Sequence, residues 1–362
     1  MTTYRESGVD APMGDRASAL AYARAQETFP SRKGSIGSAM TDAGGFAGLI
    51  DMGDFFLVQN ADGTGSKMSL AVAMEKYDTI GVDLLAMVCD DAICTGAEVI
   101  SVTNTLDVPR VDPAVVDALM AGHARACKEQ KIIIPGGEIA EVPGATTEPV
   151  WNATSVGIVA KDRVLDPSTI KAGDSVIALR SAVARSNGFS FIRKILDDAH
   201  GEQWFQKPWK DGKTWGDIML TPSILYHAAL LTLLGRYGEE RVVPIKALAH
   251  ITGGGISGNV PRILKHAGVG VTLDALWDPH PALQDLVALG PALLIDAYET
   301  WNMGTGMIAI VDHADEERTI TLLKKSGIQA KHAGVVTKEK RLIIRAYTGE
   351  ELHFDPATGD AL

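Results

Sequence analysis

Short apolar runs that end in Gly, Asp or Pro alternate along the chain with longer segments whose apolar residues recur every three or four positions. The first kind predicts strands at FFLVQN (55–60), VISVTNTLDV (99–108), KIIIPG (131–136) and WNATSVGIVA (151–160). The second kind predicts helices. In DPAVVDALMAGHARACKEQ (112–130), Asp112 is placed to cap, Pro113 opens the first turn, and Val116, Leu119, Met120 and Cys127 repeat as an apolar stripe. In TIGVDLLAMVCDDAICTGA (79–97), Leu84, Met87 and Cys94 mark a stripe on which Asp91 falls, while Asp90 points elsewhere, to solvent or to a supporting position. Residues 1 to about 54 are rich in Gly, Ser and Ala and read as a flexible segment of the kind a ligand orders. A polar break, DRVLDPSTIKAGDS (162–175), precedes a fresh strand, SVIALRS (175–181), and predicts two domains, 1–167 and 168–362. The second half again mixes strands and helices and ends in a hairpin over RLIIRAYTGEELHFD (341–355). The class is α/β (α+β) in two domains.

Composition narrows the function. The 362 residues carry a net charge of −11, so no field draws in nucleic acid or an anionic membrane. A small phosphorylated substrate, which needs only a local site, stays open. No apolar run approaches the roughly 20 residues of a membrane span, and MTTYRESGVD lacks a signal-peptide core. Three cysteines, Cys89, Cys94 and Cys127, suggest neither a zinc site nor a disulfide framework, and point to a reduced cytoplasm.

Chemistry gathers at strand ends. QNADGTGSKMSLA (59–71) closes a strand with Asp62, Gly63 and Gly65, then Lys67 at a helix start. A plain turn needs one glycine and no lysine; a loop holding a phosphorylated ligand and its metal uses all four. The G-x-x-x-x-G-K-[ST] spacing is absent, so the loop is not a Walker loop. Asp91, aimed at a core, needs a partner, a metal or a polar cleft. IIIPGGEIAEVPG repeats the pattern: Gly136, Gly137 and Glu138 after a buried strand suit either Mg²⁺ or a solvated turn. HITGGGISGNVPRIL carries His250 and Thr252 into Gly253, Gly254 and Gly255 at a helix start, a candidate anion site. It also matches G-x-G-x-x-G through Gly258, with Asp274 ending the next strand, so a nicotinamide-dependent oxidoreductase competes. Ser186, Asn187 and Gly188 offer a second anion contact, and Asn302 precedes two glycines; either could be turn chemistry alone.

TYRESGVD, GGFAGLI, DGTGSK, YDTIGVDLLAMVCDDAICTGAE, PGGEIAEVPG, RSNGFSFIRKIL, LTPSILY, HITGGGISGNVPRIL and NMGTGM occur in this order over nearly the whole chain. Together they resemble the aminoimidazole ribonucleotide synthetase, or phosphoribosylformylglycinamidine cyclo-ligase, family. The resemblance implies an N-terminal domain whose strands join a partner's in a dimeric barrel-like sheet, and a C-terminal α/β domain. ATP and formylglycinamidine ribonucleotide would meet between them. It further implies Mg²⁺ and ATP held by Asp62, Asp91 and Glu138. Lys67 would offset phosphate charge, and Gly44, Gly45 and Gly48 would fold over the nucleotide, with Gly63, Gly65, Gly136 and Gly137 beside it. Asp91, His250 and Lys67 are the implied catalytic set. Ser186, Asn187, Gly188, Thr252, Gly253, Gly254, Gly255 and Asn302 are the implied substrate contacts.

The chain departs from the family pattern in places. DGVGTK is usual where Thr64 and Ser66 stand, Asn-Asp where Asp90-Asp91 stand, and His where Arg185 precedes Ser-Asn-Gly. A glutamate is usual at Gly258, and residues 142–151 read VPGATTEPVW. Another ATP-dependent amide- or acid-activating enzyme on the same scaffold, or a non-catalytic nucleotide binder, are the remaining rivals.

Overall fold

The computed structural model describes residues 11–40, 45–290 and 293–362. Six strands form the first sheet: β1 (Ser38–Ala39), β2 (Gly48–Asp51), β3 (Phe55–Gly63), β4 (Glu98–Val108), β5 (Gly137–Glu141) and β6 (Val150–Ala160). Their order is β1-β2-β3-β6-β4-β5, antiparallel except for the parallel pair β4/β5. Helices α1 (Ala11–Gln26), α2 (Lys67–Met74), α3 (Ile80–Ala92) and α4 (Pro113–Gln130) belong to this half. Asp112 caps α4 by accepting from the Ala114 amide, as its position ahead of Pro113 predicts.

The second sheet runs β13-β12-β9-β11-β7-β10-β8. Its strands are β7 (Ser175–Arg180), β8 (Ala247–His250), β9 (Gly270–Leu273), β10 (Thr305–Val311), β11 (Ala330–Thr337), β12 (Leu342–Arg345) and β13 (Glu351–Phe354). The last two form the expected hairpin. Helix α5 (Phe189–His200) follows the loop after β7.

Four expectations change. Residues 11–26 form a helix rather than a loose segment. KIIIPG is not a ladder strand; only Ile133 bridges Ser101, and the strand begins at Gly137. Gly137 and Glu138 therefore stand inside β5, not in a turn after a strand. The dinucleotide reading also fails, because it needs β8 and β9 as parallel neighbours, yet β8 is an edge strand paired antiparallel to β10 and β9 lies far across the sheet. Gly255 is also needed for packing: a Cβ there would stand 2.1 Å from the Tyr298 carbonyl oxygen, so only glycine fits.

Finally, α3 is buried nearly all round rather than along one stripe. It packs on β3 and β6 on one side and meets β8 and the 221–227 segment on the other. Asp90, expected at solvent or in a supporting position, takes the second: it is fully buried, and Asp91 is the more exposed of the two. A helix covered on both sides has no solvent face to receive a carboxylate.

Candidate functional site

The site lies where four strand and helix ends meet. Asn60 and Asp62 share one face of β3, two residues apart. Asp91, near the C-terminus of α3, accepts from Asn60 Nδ2 at 3.0 Å on Oδ2 and bonds His250 Nδ1 at 2.7 Å through Oδ1. His250, the last residue of β8, is completely buried. Its Nε2 lies 2.6 Å from the Arg185 guanidinium. Arg185 also donates to Asp90 Oδ2 at 3.0 Å and to the Ile224 carbonyl at 3.1 Å. Asp90 Oδ1 takes the backbone amides of Tyr226 and His227. Burial alone drives the Asp90 carboxyl up, but three donors, from Arg185 and the Tyr226 and His227 amides, are arranged for a carboxylate, and the ion pair is the state this geometry serves.

The loops themselves approach each other. A Cβ on Gly65 would stand 3.6 Å from the Ser186 carbonyl oxygen, and one on Gly253 would stand 3.6 Å from Asn187 Nδ2. Gly188 turns the chain at φ +72° into α5 with Trp301 pressed against it, which no side chain would allow. Ser186 Oγ and Asn187 Oδ1 are buried without a hydrogen-bond partner among the described residues. Buried oxygens of this kind need a partner, and they stand where a ligand would supply one. Asp62, half-buried, accepts the Gly63 amide on Oδ1 at 2.7 Å. Burial first, then the nearby Asp91 charge, push its carboxyl up to about 6, against the Gly63 amide and His250, which hold it down.

Other expected residues are placed differently. Lys67 is not in the cleft: its ammonium is fully buried, 2.7 Å from Asp83 and 2.8 Å from the Thr221 carbonyl, and burial pushes its pKa down. Asn302 is spent on the fold, donating to the Val183 carbonyl and accepting the Gly304 amide. Glu138 does not join Asp62 and Asp91. Through β6 and β4, Asp62 registers with Gly137, so Glu138, one residue on, is exposed on the opposite face of the sheet. Its strand also lies three spacings away, about 14 Å. Among the described residues no three His, Cys, Asp or Glu are grouped to hold a metal. Gly136 is exposed beside β5; Thr252 and Gly254 stand in the loop after His250. Gly44 lies outside the described residues. Gly45 and Gly48 flank Phe46, whose ring the Arg262 guanidinium covers at 4.9 Å while donating to the Gly45 carbonyl.

Sequence reasoning missed Asn60 and Asp83 and left Asp90 between solvent and a supporting position. The available signal was spacing: Asp83 and Asp90 are seven apart on an otherwise apolar helix, two turns, hence on one face.

Residues 44–159 match the family described as AIR synthase related protein, N-terminal domain, and residues 171–346 its C-terminal domain. The phosphoribosylformylglycinamidine cyclo-ligase of Sorangium cellulosum is 36% identical over 91% of this chain and 93% of its own. That of Acetivibrio thermocellus is 35% identical over 94% and 98%. Among solved structures, a HypE–HypF complex superposes at a TM-score of 0.60 with 18% identity, over 86% of this chain and 93% of that one. PurLQS from Thermotoga maritima does so at 0.59 with 13% identity, over 87% and 46%. These two share the fold. The sequence matches go further, and the chain belongs to the phosphoribosylformylglycinamidine cyclo-ligase (AIR synthetase) family.

Proposed function

We infer that this protein closes the imidazole ring of aminoimidazole ribonucleotide from formylglycinamidine ribonucleotide, using ATP. The formyl amide oxygen attacks the γ-phosphorus and ADP leaves; the neighbouring nitrogen then attacks the activated carbon, and phosphate departs with the former amide oxygen. An amide oxygen leaves poorly until it is phosphorylated, so the protein's task is positioning and charge neutralisation. The observation that carries the reading is that Asp62 and Asp91 of the first half lie together beside His250 of the second, while the loops that follow Asp62 and His250 approach the Ser186–Asn187 loop, whose buried oxygens lack a partner among the described residues.

Ser186, Asn187, Gly188, Thr252 and Gly253 to Gly255 would receive phosphate oxygens or the amide. Gly45 and Gly48, with Phe46 pinned by Arg262, would cover the nucleotide; Gly63 and Gly65 would let the triphosphate approach the backbone. Mg²⁺ suits the donor set, since it is commonly held by one or two carboxylates together with substrate phosphates, and Asp62 beside Asp91 is an acidic pair short of a cation. Bound there, the ion would neutralise phosphate charge. Lys67 acts from behind the cleft, holding the start of α2 through Asp83.

The chain is also read as a homodimer. The face of the first sheet opposite α3 exposes Gln59, Ala61, Thr103, Thr105 and Asn152, and a second copy would cover it. Glu138 lies on that face, so any part it plays in nucleotide binding passes through the interface. No helix among the described residues is long and apolar enough to cross a membrane, and the buried cysteines Cys89, Cys94 and Cys127 are free, as in a reduced cytoplasm. ADP release that depends on formylglycinamidine ribonucleotide is the expected result. ADP release with another amide and not with this one would assign the cleft to a different activation reaction.

A further inference from the structure

The buried connection from Arg185 to Asp91 goes beyond what the family assignment supplies. Arg185 is 2% exposed, at φ +56°, and its guanidinium is spent on Asp90, His250 and the Ile224 carbonyl. A guanidinium has donors and no acceptor. An imidazole nitrogen 2.6 Å from it must therefore present its lone pair, and His250 Nε2 is that nitrogen. The ring's one proton is then on Nδ1, where it is donated to Asp91 Oδ1 at 2.7 Å. Asn60 Nδ2 fixes the other carboxylate oxygen. The order is Arg185 to His250 to Asp91, with Asp90 balancing the cation. Both ends of that ion pair are positions where the chain differs from the family's usual residues, and the two differences touch. An arginine introduced at 185 without the carboxylate at 90 would be a buried charge without a partner.

We propose that Arg185 is a positioning residue: it selects the Nδ1–H tautomer of His250, and His250 so held orients Asp91 toward the reacting phosphoryl group. His250 itself is then not a proton acceptor for the substrate, since both ring nitrogens are engaged and the ring is buried. The role in the reaction rests on the cyclo-ligase reading; the tautomer does not.

Imidazole ¹⁵N spectra of histidine-labelled protein, with His250 assigned by its absence in His250→Gln, test the tautomer directly. The expected result in the unmodified chain is a protonated Nδ1 and a bare Nε2. A protonated Nε2 overturns the proposal without any variant having to fold. The functional half uses Arg185→Met combined with Asp90→Asn, which removes both charges, fills the arginine stem and keeps an acceptor for the Tyr226 and His227 amides. Mixed tautomers are expected, with kcat lowered about 10- to 100-fold at unchanged KM for ATP. Unchanged kcat, or an unchanged tautomer in that variant, overturns it. Absence of formylglycinamidine-dependent ADP release in the unmodified chain would sink the cyclo-ligase reading and leave the tautomer result standing.

Discussion

Helix α3 carries two buried ion pairs, seven residues apart, and they do different work. Asp83 pairs with Lys67 and accepts the amide and hydroxyl of Ser223, and there the network closes. Asp90 pairs with Arg185 and accepts the Tyr226 and His227 amides, but its cation continues through His250 to a carboxylate in the cleft. Both pairs tie the 221–227 segment of the second half to a helix of the first. A buried ion pair by itself is therefore no sign of a site. The sign is a hydrogen-bond chain that leaves the pair and ends on a group facing open space.

The largest effect separating the two pairs should come from breaking the closed one. Lys67→Met leaves Asp83 charged and unpaired, and about 3–5 kcal/mol of stability should be lost in urea unfolding. Adding Asp83→Asn should return most of it, because the neutral amide still accepts from Ser223. Lys67 would instead be a phosphate ligand if the double variant regained stability but not ATP affinity. At the open pair, Asp91→Asn should cost turnover rather than fold: about 10²- to 10³-fold in ADP release, with the unfolding midpoint little changed. Unchanged turnover would remove Asp91 from the cleft chemistry.

Acid should act on the open pair's neighbourhood next. His227 is buried and accepts the Val99 amide on Nε2, and burial lowers its pKa to about 3. The unfolded chain takes up that proton near pH 6.5 and the folded one does not, so stability is full above 6.5 and falls as the pH drops toward 3. The slope is at most about 1.4 kcal/mol per pH unit. Urea midpoints at pH 7.5 and 5 measure it, and His227→Gln should flatten the dependence. The smallest effect lies at the strap: Arg262→Ala frees Phe46 and Gly45, and should raise KM for ATP about two- to fivefold. Limited proteolysis near Phe46 should then be less suppressed by ATP than in the unmodified chain.

Much of this was legible before folding was considered. The caps and periodicity of α4, strands β3, β4 and β6, and the terminal hairpin follow from local chemistry, because each element's pattern agrees with its own period. The glycine-rich loops after Asp62 and His250, singled out by their composition, do approach the Ser186–Asn187 loop in the fold. The failures share a cause. Local pattern assigns Lys67 to phosphate and leaves Asp90 between solvent and a supporting position, whereas partners on other elements claim each: Asp83 and Thr221 for Lys67, Arg185 and Tyr226 for Asp90. Glu138 failed on parity, since a one-residue shift in a strand changes the face a side chain occupies.

The sequence by itself determined most of the element types and the family, because these depend on residue type and short spacing. Only the tertiary structure decided which charges pair, which face of the first sheet is bare, and that His250 has no free nitrogen. Those depend on packing between separate elements, where a buried charge needs a specific partner and local pattern does not say which.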